Sequence, residues 1–260
     1  MRRVHRRATA GLVLLALGGL VLFGGPPLGW AQGGRRNRSA QSFPSNVPYD
    51  GRFTFARIRY TGGDDGFGRG LSWAHDYPRG ERHFTKILSE LSTLRVRTQD
   101  SNILALDDPD LFRFPVAYMC EAGFWRPSDA EALGLRNYLL KGGFIIFDDF
   151  ARSDWFNFEA QMRRVLPDLR PIRLTAEDKV FDAFYRIQNL DFTHPYYGLP
   201  SEFWGIYEHN DRSQRLLAVI NYNNDLSEHW EFSDEGFFPL AASNEAYKLG
   251  VNYLIHALTR

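Results

Sequence analysis

The stretch Ser128–Asp149 limits what this chain can fold into more than any other part of it. It opens on Ser128-Asp-Ala-Glu131, a capping-box pattern in which the Ser hydroxyl accepts from the third helical amide and the Glu reaches back to the cap. The helix begun there runs to Lys141-Gly142-Gly143, a cation in the last turn followed by a glycine stop. Phe144-Ile-Ile-Phe147 follows at once and closes on Asp148-Asp149. A strand without polar alternation, entered directly from a helix, suits a parallel sheet covered on both faces.

The rest of the chain repeats this rhythm. Phe53–Tyr60 predicts a strand broken by Gly62-Gly63, and Phe84, Ile87, Leu88 and Leu91 then fall on one helical stripe. A short strand is expected near Leu94–Thr98, and Phe114–Glu121 reads as a buried strand. A helix over about Trp155–Val165, strands near Pro171–Leu174 and Arg215–Tyr222, and a last helix with Val251, Leu254, Ile255 and Leu258 as its stripe complete the pattern. This order predicts an α/β fold, a doubly wound, mostly parallel sheet with helices on both faces.

Ahead of the domain, Met1–Arg7 carries four arginines and no acid, and Ala8–Phe23 is uncharged. With small residues at Gly29 and Ala31, this reads as a signal peptide over residues 1–31 that delivers the protein to the periplasm. Extended through Trp30, the apolar run is also long enough for an N-terminal membrane anchor holding a periplasmic domain. Residues 32–52, rich in Gly, Ser, Asn, Pro and Arg, read as a flexible linker, and residues 53–260 as one domain.

The precursor balances 31 basic against 31 acidic residues, but the signal takes four arginines and leaves 27 against 31, net −4. Removing residues 32–52 as well leaves 23 against 30, net −7. An acidic domain argues against nucleic acid, whose affinity comes largely from Lys and Arg on phosphates. Cys120 is the single cysteine, so the fold stands without an internal disulfide.

The stretches Trp73-Ala-His-Asp-Tyr-Pro78, Leu135 to Asp149, His194-Pro195, Asp211 to Asn221, Asn224-Asp-Leu226 with Trp230-Glu231, and Leu249-Gly-Val-Asn-Tyr253 resemble the bacterial family catalogued as domain of unknown function 4159. The resemblance covers nearly all of Phe53–Arg260, and Gly142-Gly-Phe-Ile-Ile-Phe-Asp-Asp149 and Leu249–Tyr253 are its most specific parts. It implies a glutamine-amidotransferase-like, flavodoxin-like fold. It also implies a cell-envelope context, with MoxR-type ATPases and von Willebrand A-domain membrane proteins as partners, and no established activity.

Ligands of open parallel sheets bind beyond the carboxyl ends of the strands. The residues expected there are Asp64-Asp65, Gln99-Asp100, Glu121 and Asp148-Asp149, whose carboxylates could hold a hard cation or act as general acid and base. Their spacing is diagnostic of neither, so no metal or cofactor is assigned. Asp148 and Asp149 equally suit a cap or a carboxylate on backbone N–H groups. His194 lies in an aromatic loop with Tyr196-Tyr197, as a ligand, a proton carrier or a hydrogen-bonding anchor.

Trp73, Asp76 and Tyr77 precede a helix near Arg79, where Asp76 suits a cap and the aromatics suit a sugar or peptide ligand. Asn223-Asn224-Asp225, with Trp230-Glu231, reads first as polar turn residues and second as binding groups, and Glu208-His209 as surface. Amidotransferase-like folds can carry a Cys nucleophile, but Cys120 lies within Tyr118-Met-Cys-Glu121 and lacks the small-residue elbow that such a nucleophile needs. It reads as a buried structural thiol.

The expected function is therefore a non-catalytic binding or interaction module of the envelope. The alternatives are a carboxylate- or metal-dependent hydrolase using Asp148, Asp149, Glu121 and His194, and a carbohydrate-binding module on Trp73, Tyr77 and Trp204.

Overall fold

The computed structural model describes residues 43–62 and 71–259. The expected signal peptide, residues 32–42 of the linker, and Asp64-Asp65 lie outside the described residues. The strands are β1 (Phe53–Ile58), β2 (Val96–Leu104), β3 (Val116–Met119), β4 (Phe144–Phe150), β5 (Ile172–Arg173), β6 (Glu202–Tyr207) and β7 (Leu216–Tyr222). The α-helices are α1 (Arg79–Leu91), α2 (Asp129–Leu140), α3 (Asp154–Val165), α4 (Leu226–Glu231) and α5 (Leu240–Thr259). No helix among the described residues is long and apolar enough to cross a membrane.

The fold is α/β, with one seven-stranded mixed sheet in the order β2-β1-β3-β4-β7-β6-β5. The pairs β2-β1, β1-β3, β3-β4 and β4-β7 are parallel, whereas β6 runs antiparallel to both β7 and β5. Helices cover both faces. Tyr118 on β3 and Phe84 on α1 pack against Trp230 of α4. Phe147 packs on Phe158 of α3. Tyr118 is in register with Ile146, the neighbour of Phe147, so these two contacts lie on opposite faces of the sheet.

The local signals act as the sequence predicts at the centre. The Ser128 hydroxyl accepts from the Glu131 amide and the Glu131 carboxylate accepts from the Ser128 amide, so the box is complete. Gly142, at φ +114°, makes the stop that an L side chain would strain. Every residue of β4 is buried, Asp148 and Asp149 included, so they are part of the strand and do not follow it.

Three expectations change. The second strand runs on to Leu104 because β2 bulges between its contacts with Phe53 and Phe55, so Gln99 and Asp100 sit mid-strand, away from its carboxyl end. Strand β6 was not expected, since an interior Gly205 weakens its strand pattern. In α1 the inward face includes Glu81 while Leu91 is exposed, because the fully buried Arg57 of β1 reaches Glu81 in a salt bridge. Before β1, Asn46 and Val47 exchange hydrogen bonds with Asn102 and Ile103 of β2, and Asp50 pairs with Arg97.

Candidate functional site

The end of β4 and the loops after β1, β3 and β7 meet at the carboxyl rim, and each brings a carboxylate. Asp76 follows β1, Glu121 follows β3, Asp149 closes β4, and Asp225 and Glu228 follow β7. Asp76, Glu121, Asp149 and Asn223 all take left-handed backbone, at φ +60°, +45°, +58° and +56°. Such strain in residues other than glycine persists where the surroundings impose it, and it clusters at functional sites.

His75 is the hub of the first group. Its Nδ1 lies 3.1 Å from Asp149 Oδ2, 3.4 Å from Glu121 Oε1 and 3.9 Å from Asp76 Oδ1. The backbone that carries it is anchored, because Arg57 donates to the carbonyls of Trp73 and His75 at 2.9 Å each. The side chain of His75 is 43% exposed while Asp76 and Asp149 are buried, so the group opens to solvent on the histidine side. Asp149 also accepts from the Tyr197 hydroxyl at 2.5 Å and from the Cys120 thiol at 3.4 Å. Donor atoms of His75, Asp76, Cys120 and Asp149 all lie within 4.8 Å of one another.

The charges respond to this crowding. The hydrogen bond to Asp149, helped by the other carboxylates, raises His75 to about 10. Burial works against the charge of Asp149, but His75, Tyr197 and Cys120 outweigh it and hold that carboxyl below its ordinary value. Asp76 has no such set of donors, and burial pushes it well up. Its side chain does not cap α1; it accepts from the Ser227 hydroxyl, and its backbone carbonyl takes the Gly80 amide. Burial, with Asp149 and Asp76 alongside, also pushes the Cys120 thiol well up, so it is a protonated donor and not a thiolate.

A second group lies beside the first. His194 Nε2 is 3.4 Å from Glu228 Oε2, and donor atoms of His194, Asp225 and Glu228 lie within 4.8 Å of one another. Asp225 caps α4 by accepting from the Glu228 amide and also takes the Ser227 hydroxyl at 3.2 Å. Ser227 therefore touches both Asp76 and Asp225 and joins the two groups. Burial raises Glu228 to about 7 and pushes Asp225 well up; it lowers His194 to about 4 and the adjacent His229 to about 3.

The family model described as Domain of unknown function (DUF4159) matches residues 54–258. The chain belongs to this family. No curated protein matches it in sequence.

Within this DUF4159 domain the residues singled out from sequence separate. Glu121, Asp76 and Asp149 converge on His75, and Tyr197 links Asp149 to His194, its ring centroid 5.4 Å from that imidazole. Asp148 points away from Asp149 and accepts from the Tyr118 hydroxyl and the amides of Leu226 and Ser227, fixing the start of α4. Burial raises it to about 7. Trp73 is buried and Tyr77 half-buried at the rim, whereas Trp204 lies mid-β6 against Trp155 of α3.

Sequence reading marks none of His75, Glu228 and His229 as a functional group, and it offers Asp225 as a turn residue first and a binding group second. His75 had a visible signal, standing beside Asp76 in Trp73-Ala-His-Asp-Tyr-Pro78. Glu228 and His229 had little, because α4 is only six residues long and shows no periodicity.

Proposed function

We propose that this rim is a divalent-cation centre and that the domain is a metal-dependent hydrolase working outside the cytoplasmic membrane. One observation carries the reading. Asp76, Asp148, Asp149, Asp225 and Glu228 are all buried at one end of the sheet, while the nearby buried guanidinium of Arg57 is already matched by Glu81. Buried charges are normally paired or coordinate metals. Among the described residues, the basic groups within 4 Å of the Asp76, Asp149 and Glu228 carboxylates are imidazoles, His75 for the first two and His194 for the third.

His75, Asp76 and Asp149 are the ligands in this reading. One imidazole and two carboxylates suit Zn²⁺ or Mn²⁺, and three protein ligands leave a position open toward solvent. Once bound, the ion would supply Lewis acidity to a substrate oxygen and to water. Glu121 faces His75 from the partly exposed side and is the proton carrier. Tyr197 and Cys120 orient Asp149 through their hydrogen bonds, as outer-shell donors do in metal sites.

The strand order supports the wider picture. Strands β2-β1-β3-β4-β7 follow the flavodoxin-type order and reverse between β1 and β3. His75 and Glu121 leave those two strands, which is where a doubly wound, amidotransferase-like scaffold would bind its ligand. The basic and apolar character of residues 1–31 carries the placement in the envelope.

The test has two readouts. The chelator-treated chain should take up Zn²⁺ or Mn²⁺ in calorimetry, and the loaded chain should hydrolyse one member of an ester, phosphoester, glycoside and peptide panel. Asp149→Asn should abolish uptake at this centre and, with it, the hydrolysis. A chain that binds neither ion at micromolar concentration refutes the centre; one that binds but hydrolyses nothing refutes the enzyme.

A further inference from the structure

We propose that His194, Asp225 and Glu228 form a second divalent-cation site beside the first. His194 supplies the independent observation. It is 1% exposed, and neither ring nitrogen has a hydrogen-bond partner among the described residues. A buried polar group left without a partner is destabilising, because it has lost its water and gained nothing in return. Histidines that persist unpartnered in a core need a reason, and a lone pair waiting for a cation is one. Its neighbour His229, fully buried and edge-on with ring centroids 5.0 Å apart, is unpartnered in the same way.

The geometry fits an ion. His194 Nε2 and Glu228 Oε2 stand 3.4 Å apart without making a hydrogen bond. Two ligands bonded to one Zn²⁺ at about 2.1 Å can be no more than about 4.2 Å apart. The donor atoms of His194, Asp225 and Glu228 already lie within 4.8 Å of one another, so a shift of under about 1 Å would close them on the ion.

The ligands are held in advance. Asp225 is fixed by the Glu228 amide and the Ser227 hydroxyl, and His194 by ring contacts with Tyr196, Tyr197 and Phe238. The aromatic collar keeps the site dry, which strengthens charge interactions inside it. Ser227, hydrogen-bonded to Asp76 and Asp225 together, sets this site next to the one proposed above.

The experiment counts ions in the purified chain. After chelation and gel filtration, Zn²⁺ and, separately, Mn²⁺ are titrated by calorimetry, with bound metal measured by atomic emission. Wild type should take two equivalents. Glu228→Gln and His194→Gln should each lose one, with affinity at that site down at least 100-fold, while Asp149→Asn loses the other. Circular dichroism checks that each variant folds; if His194→Gln does not, Glu228→Gln, an isosteric change at the site's edge, decides alone. A single wild-type equivalent that survives Glu228→Gln and vanishes in Asp149→Asn overturns the second site and leaves the first standing. Two equivalents unaffected by Glu228→Gln also overturn it, and no uptake overturns both.

Discussion

Arg57→Met should be among the most damaging single changes in the domain. The guanidinium is fully buried, bridges to Glu81 and donates to the Trp73 and His75 carbonyls. Removing it strands the Glu81 carboxylate, which is 2% exposed, and breaking a buried pair from one side costs about 3–5 kcal/mol. The two carbonyls that lose their donor add roughly 1–3 kcal/mol. The total rivals the whole stability of many domains, about 5–15 kcal/mol.

In Arg57→Met with Glu81→Leu the stranded charge is gone and only the carbonyl cost remains. The double variant should therefore recover about 3 kcal/mol over the single one in urea unfolding. Because the loop bearing His75 has still lost its anchor, metal affinity at the first site should fall about tenfold. A double variant no more stable than Arg57→Met, or a single variant within about 1 kcal/mol of wild type, would refute the reasoning.

Three further outcomes follow from the same groups. Protons and metal compete at the rim, since His75 is raised to about 10 and Glu228 to about 7, so Zn²⁺ affinity should rise about tenfold per pH unit for each proton displaced; calorimetry that finds flat affinity between pH 5.5 and 8 would contradict this. Asp148 is raised to about 7, so its contribution to metal-free stability is complete below the ordinary carboxyl range and is lost as pH rises through 7. Asp148→Asn should flatten that decline by roughly 1 kcal/mol per pH unit in urea unfolding. Cys120→Ala should keep both bound ions with affinity at the first site within about 100-fold of wild type, as loss of one outer-shell hydrogen bond implies; disappearance of an equivalent would make the thiol a ligand.

The centre of the fold was legible because its signals are local. A capping box, a glycine stop and an unbroken apolar run fix α2 and β4 with no help from the rest of the chain. Where distant residues decide, the sequence was silent. Glu81 is buried because Arg57 faces it from another element, and nothing in the pattern of α1 marks it. Strand β6 pairs antiparallel at the far side of the sheet, and the alternation of strands and helices carried no hint of it.

The site was half legible for the same reason. The rule that strand ends collect ligands pointed to Glu121 and Asp149, but it could not separate Asp149 from Asp148, whose side chains point to different surroundings. His194 was singled out for its loop; its partners come from a helix more than thirty positions later, which spacing cannot reveal.

The most direct measurement is anomalous diffraction at the zinc absorption edge from crystals of the chain soaked in Zn²⁺. The account predicts a peak about 2.0–2.2 Å from His75, Asp76 and Asp149, and a second at the same range from His194, Asp225 and Glu228. A rim with both groups arranged as described and no peak among them would contradict it.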